Sequence, residues 1–260
     1  MALKLEKVKE ERKKNKLVFR MKGSDEVFAN TVRRLILEEV PTLAVEDVEF
    51  TENSSALYDE MFALRLGLTP IKTDYKGYVQ KSKCKCEGAG CAQCELKLSL
   101  KVSKKGYVYA EDAQSSDPKC TFVYPKMPLV KLLSKQKVDI VMIATLGTGR
   151  EHTKWTPGWA HYKKEPVLKV GAVKNPEEIV KNCPDGVLTL KGKKIEVDEE
   201  KVLESNLVSY YAELDDAITL EYGPNVIFTL ESWGHLSCKE ILVKSAQILQ
   251  EKVEEMSKLI

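Results

Sequence analysis

The sequence has no run of about 20 apolar residues, the length a helix needs to cross a bilayer. Its opening stretch, MALKLEKVKEERKKNK, is charged from the outset and carries no apolar core of the kind that heads a secretion leader. Both absences lead to the expectation of a cytoplasmic protein with no membrane partner. There is also no excess of one charge sign. Lysine and arginine number 41 against 39 aspartates and glutamates, a net charge of +2, which argues against a chain built mainly to coat nucleic acid. Catalytic constellations are missing as well. The GTG at 147–149 lacks the lysine and helix that make such a turn a phosphate cradle. No acidic metal triad and no nucleophile beside a base stands out, so no active site is expected in this chain.

What remains is a chain of 260 residues, 43% hydrophobic, enough to bury the core of one large or two modest domains. Its most constraining feature is the run CKCEGAGCAQC, which places Cys84, Cys86, Cys91 and Cys94 within eleven residues. Glycines 88 and 90 let the backbone turn sharply between them. Four thiolates can then converge on one tetrahedral ion, zinc ahead of iron–sulfur, in a closed shell that leaves no place for a catalytic water. The competing readings are disulfides or idle thiols. A Cys84–Cys86 bridge is geometrically poor, whereas a cross pairing such as Cys86 with Cys91 stays open. Cys120, Cys183 and Cys238 stand alone and read as buried or surface thiols. An odd count with one tight cluster fits a reducing compartment.

Along the chain, alternation over 3–9 and 16–22 predicts a hairpin. Ser24 is the expected cap of a helix to residue 40, with Val27, Phe28, Val32, Leu35 and Ile36 on one stripe and Pro41 as its stop. Strands are expected over 43–52, 74–82, 95–103, 106–110 and 137–146, and helices over 57–67 and from Pro128 to Leu133. Residues 147–162 read as a long ordered loop. The charged stretch 165–205 looks like an inserted module of short strands and helical turns, and its removal is expected to leave assembly intact. Strands are expected at 207–213, 217–222 and 225–232. The segment 237–259 predicts a long helix with Cys238, Ile241, Leu242, Ser245, Ile248, Leu249, Val253 and Met256 on one face. Such a 3–4 repeat suits a helix packed lengthwise on a partner, or one that covers its own sheet.

Several segments, in order, resemble one family. FANTVRRLILEEVPTLAVEDVEF (28–50), DEMFALRLGLTPI (59–71), the cysteine loop, GTGREHTKWTPGWAHY (147–162), VIFTLESWG (226–234) and the last helix are similar to the D subunit of archaeal DNA-directed RNA polymerase. That protein is the counterpart of the bacterial alpha amino-terminal domain and of the third-largest subunit of eukaryotic polymerase II. The resemblance implies an α+β fold. A discontinuous dimerisation domain (1–47 and 207–260), an antiparallel sheet with two long helices, would hold an inserted mixed α/β domain (48–164). A small degenerate ferredoxin-like module (165–206) would complete it.

The same resemblance implies partners. Subunit L would pair through the long helices in a heterodimer, and the large catalytic subunits would assemble on that platform for transcription. Arg33 and Arg34, which by themselves read as solvated charge, would contact the second-largest subunit. His152, Lys154 and Trp155, with Trp159 and His161 nearby, would belong to a docking surface for the large subunit and the small subunits N and P. DNA would be met only through the complex. Some members carry iron–sulfur clusters in the module. Here Cys183, in NCPDG, is its one cysteine, too few for a cluster, so one structural zinc and no iron–sulfur cluster are expected. The rival reading is a zinc-stabilised, oxidoreductase-like protein with a ferredoxin-type module. A standalone nucleic-acid-binding zinc protein is disfavoured by the balanced charge.

Overall fold

The computed structural model describes residues 3–192 and 194–259. Among them the chain is an α+β protein built on antiparallel sheets. β1 (Lys4–Glu11) and β2 (Lys16–Lys22) come first. α1 (Glu26–Glu38) follows. Its cap is Asp25, not the expected Ser24: the Phe28 N–H donates to Asp25 Oδ1 at 2.8 Å, while the Ser24 hydroxyl donates to the Asp25 carbonyl at 3.2 Å. A carboxylate at this end also meets the positive pole of the helix. Val27, counted in the apolar stripe, lies exposed. Pro41 separates α1 from β3 (Thr42–Asn53), and α2 (Asp59–Gly67) comes next. Then follow β4 (Glu95–Val102), β5 (Gly106–Tyr109), β6 (Gln114–Ser115), β7 (Pro128–Leu132) and β8 (Val138–Gly147). β9 (Gly158–Val170), α3 (Pro176–Lys181), β10 (Leu188–Lys191), β11 (Lys194–Val197), α4 (Glu199–Glu204) and α5 (Val208–Glu213) make up the next stretch. β12 (Ile218–Ser232) and α6 (Cys238–Ser257) close the order.

The chain divides into two compact units. One holds the stretch up to Glu11, Leu17–Thr31 and His161–Thr229. Its sheet has the order β1-β2-β12-β9, and β10 and β11 form a separate hairpin. Its core gathers Leu168, Ile179, Val187, Leu188 and Val202 with Val208, Tyr211 and Ile218. Phe19 and Phe228 stack with ring centres 5.1 Å apart.

The other unit holds Arg12–Lys16, Val32–Ala160 and the chain from Leu230 on. Its main sheet runs β3-β8-β4-β6, beside a two-stranded β5-β7 sheet. In the registers Leu96↔Ala144, Leu98↔Met142 and Leu100↔Ile140, strict alternation sends all six side chains to one buried face. Phe62 and Leu66 of α2, one turn apart, pack in the same core. Burying each stabilises the unit by about 1.5–3 kcal/mol. No helix among the described residues is long and apolar enough to cross a membrane.

Four further expectations are corrected. The strand over 74–82 does not form. Asp74 turns the backbone instead, its Oδ1 accepting from Lys76 N at 2.9 Å and its carbonyl from Tyr78 N at 3.2 Å. Residues 128–132 are strand, not helix. Proline is tolerated as the first residue of a strand because no ladder donor is lost there, and Leu129, Val130 and Leu132 are buried. Residues 208–213 are helix, not strand: Val208 and Tyr211, three apart, are the buried pair. The loop after β8 is shorter than expected, since a helical turn occupies Thr153–Trp155 and β9 begins at Gly158.

Candidate metal centre and partner-facing residues

The cysteine loop is a set of tight turns. Glu87 N donates to the Cys84 carbonyl, Ala89 N to Cys86, and both Cys94 N and Glu95 N to Cys91. Gly90 sits at φ +89°, and a Cβ there would fall 2.6 Å from Glu95 Oε1, so this corner needs glycine twice over. Glu95 is itself fixed by an ion pair with Lys81 at 2.8 Å. Val79 N donates to the Gln93 carbonyl at 2.9 Å and ties the two ends of the loop.

These turns bring the four sulfurs together. Cys86 and Cys84 are 3.4 Å apart, Cys84 and Cys91 3.5 Å, Cys86 and Cys94 3.6 Å, and Cys91 and Cys94 3.8 Å. All four lie within 4.8 Å of one another. A metal held by four sulfurs at ~2.3 Å in a tetrahedron spaces them by ~3.8 Å, whereas a disulfide needs ~2.05 Å. The set therefore fits a metal ion. Cys84 and Cys94 are buried and the other two half-buried. The Cys84 sulfur, with Cys94 and the N–H groups of Gly88 and Gly90, holds the Cys86 thiol down to about 6. Burial pushes Cys94 up to about 12. Only a bound cation would let all four ionise together.

The other predicted residues lie elsewhere. Arg34 is exposed and grips Glu38 one turn on, Nε and Nη2 each donating to one carboxylate oxygen at 3.1 Å. Arg33, its neighbour, is half-buried. His152 is exposed and caps the turn at 153–155, its Nδ1 accepting from Lys154 N at 3.1 Å. Lys154 is drawn inward: its ammonium bonds the Val45 carbonyl at 3.0 Å, pairs with Glu46 and sits 4.4 Å over the Trp155 ring. Trp155 is buried. Its Nε1–H donates to the Thr145 carbonyl at 3.1 Å, and its own carbonyl accepts from the Thr42 hydroxyl at 2.6 Å. A Cβ on Gly147 would come within 2.4 Å of the indole, so glycine makes the room. Trp155 thus shapes the loop from inside, and Trp159 is the exposed indole of the segment.

On α6, Ser237 and Glu240 form a capping box, each side chain accepting from the other's backbone N–H. Ile241, Ser245 and Ile248 are buried, and Leu242 and Leu249 half-buried. Val253 and Met256 are 59% and 64% exposed. At 3.6 residues per turn, Leu242, Leu249, Val253 and Met256 lie on a flank roughly 90° from the buried line. One residue that sequence reasoning missed is Glu39. Its Oε1 accepts from Arg150 at 2.6 Å and from Lys252 of α6 at 2.9 Å, partners 111 and 213 positions away that no local pattern reveals.

Comparison with known proteins completes the picture. Residues 48–159 match the family model of the RNA polymerase Rpb3/RpoA insert domain. DNA-directed RNA polymerase subunit Rpo3 of Methanosarcina acetivorans is 36% identical over 234 residues, covering 88% of each chain. The Rpo3 subunits of Archaeoglobus fulgidus and Pyrococcus furiosus are 35% and 34% identical, each covering 96% of both chains. With likeness at this level across nearly its whole length, the chain belongs to the Rpo3 family of DNA-directed RNA polymerase subunits.

Proposed function

We propose that this chain is a non-catalytic assembly platform of DNA-dependent RNA polymerase, working in the cytoplasm as a heterodimer with subunit L. The observation that carries the reading is the apolar flank of α6, where Leu242, Leu249, Val253 and Met256 are left partly or largely uncovered. A flank of this kind is a liability in a free monomer and a seam in a pair. In this reading the dimerisation domain is 1–47 with 207–260 and the inserted domain 48–164, while the small module 165–206 is an appendage that shares its core with Val208, Tyr211 and Ile218. Arg33 and Arg34 face the second-largest subunit, with the Arg34–Glu38 pair opening or extending to take its carboxylates. His152, Lys154 and Trp155 order the loop that meets the large subunit and subunits N and P. DNA is reached through the complex.

Cys84, Cys86, Cys91 and Cys94 are proposed to hold one structural zinc, which cross-links the loop and supplies no reactivity. The module has no ligand set for an iron–sulfur cluster. The sulfur of its one cysteine, Cys183, accepts from Leu188 N at 3.2 Å and lies 3.3 Å from Asp185 Oδ1.

The test is co-expression with subunit L and pull-down on either chain. Leu242→Ala with Leu249→Ala should sharply reduce recovery of the pair, since each truncation in a packed seam costs about 2–5 kcal/mol. Gln247→Ala, on the exposed side, should do little. Wild-type recovery of L by the double variant would mean that α6 serves only its own chain.

A further inference from the structure

The outer face of α2 has no use in the fold or in the assembly contacts above, and the hollow beside it adjoins the docking loop, whose Lys154 lines it. We propose that they dock a segment of another polymerase subunit, one that carries apolar side chains bordered by carboxylates. The proposal rests on the assembly reading.

A surface helix needs one apolar face; α2 has two. Phe62 and Leu66 point into the core. Tyr58, Met61, Leu64 and Leu68 point outward and are 80, 52, 51 and 53% exposed. Their 3-3-4 spacing gathers them within an arc of roughly 120°. The patch continues into a hollow of about 270 Å³ where Leu68 meets Pro70, Tyr124, Met127 and Trp233. Methionine, tyrosine and tryptophan are residue types over-represented in interface cores. Thr153 and Thr156 line the same hollow, which makes it continuous with the 150–162 loop already assigned to docking.

Charge selects the occupant. Arg65, Lys72 and Lys126 border the patch, against one exposed carboxylate of α2 at the edge of the arc, Glu60, so the rim is net positive. Arg65 Nη2 donates to the Pro128 carbonyl at 2.8 Å, Lys72 N to Thr121, and Lys126 lies between the hollow residues Tyr124 and Met127. Among the described residues none of the three is ion-paired with a carboxylate. Cations left uncompensated around an apolar patch favour an acidic rim on the partner and disfavour a basic one.

A photo-crosslinking side chain at Met61 of the full chain, assembled with all polymerase subunits, tests this. One adduct to a single other subunit, through an apolar segment with flanking carboxylates, is expected. No adduct in the assembled enzyme, or an adduct to a second copy of this chain, overturns the proposal. Leu64→Asp with Leu68→Asp should weaken recovery of the crosslinked subunit by about 30-fold, the scale of a hot spot, and leave recovery of subunit L unchanged. Full recovery of both overturns it. Arg65→Glu with Lys126→Glu should weaken the same contact at low salt, the deficit closing near ~0.5 M salt where screening is strong; unaltered binding at low salt rejects the acidic partner. If the unmodified chain does not pair with L, the assembly reading fails by itself, whatever happens at α2.

Discussion

His235 is only 5% exposed, with Nδ1 2.8 Å from the Ile71 carbonyl. The neutral ring donates its N–H there, and burial pushes its pKa down to about 4. The sign of the consequence follows. An unfolded histidine takes a proton below about 6.5, whereas the folded one refuses it until about 4. This group therefore gives its full stability above pH ~6.5 and loses it as pH falls towards 4. Between pH 7 and pH 5 the loss amounts to about 2 kcal/mol. Thermal midpoints of the chain and of His235→Gln, which keeps an N–H donor, should converge over that window as the unmodified chain weakens faster. Parallel curves would mean that His235 already accepts a proton in the fold. The sequence offers no sign of this residue's role, because its burial comes from the distant 70–73 and 121–124 segments. Trp155 was hidden for the same reason. An aromatic in a Gly- and Pro-broken loop reads as a surface anchor, and only the space opened by Gly147 turns it inward.

Elements were legible where a period ran long enough. α1, β4, β8 and α6 each carry many apolar positions at one spacing, and each formed within a few residues of expectation. Short segments failed. In 207–213 the valine and two tyrosines suggested strand by composition, while the deciding signal was the spacing of three between Val208 and Tyr211. In 128–133 a first-position proline suited either element, and pairing with β5 decided. The convergence of the cysteine loop was legible because it is local: all four cysteines lie within eleven residues, and the turns that gather their sulfurs use Gly88 and Gly90. Its dependence on metal is a prediction at this scale. Stripping metal with a chelator, or substituting Cys91→Ser, should speed amide exchange over 79–95. β4 beyond Leu96 should stay protected, since its ladder to β8 does not involve the loop. Metal analysis before stripping should give about one zinc per chain, the number a single four-thiolate shell holds. Unchanged exchange after stripping would show that the turns alone hold the loop.

For the molecule as a whole, sequence composition marked 165–205 as an insert that could be removed, and the structure argues the reverse. The apolar side chains of that stretch do not close on themselves. Leu168, Ile179, Val187, Leu188 and Val202 share one core with Val208, Tyr211 and Ile218, which lie beyond it in the chain. Leu203 joins Val18 and Ile227 in a second small cluster. Polar ties run the same way: Tyr211 donates its hydroxyl to Asp185 at 2.6 Å, and Arg20 Nη2 pairs with Glu165 at 2.6 Å. A charge-rich composition could not reveal this, because five scattered apolar positions are enough to join the core while lysine and glutamate dominate the count. Five buried side chains at about 1.5–3 kcal/mol each amount to about 10 kcal/mol, as large as the whole stability of a typical domain. Replacing 165–205 by a short Gly/Ser linker should therefore unfold the unit that contains it and lower recovery of the complex on gel filtration. The milder Asp185→Ala should cost about 1–3 kcal/mol by stranding the Tyr211 hydroxyl. Calorimetry of the three chains decides. A linker variant that keeps its thermal midpoint and its complex would show that the shared core is dispensable and that the rest of the unit closes without it.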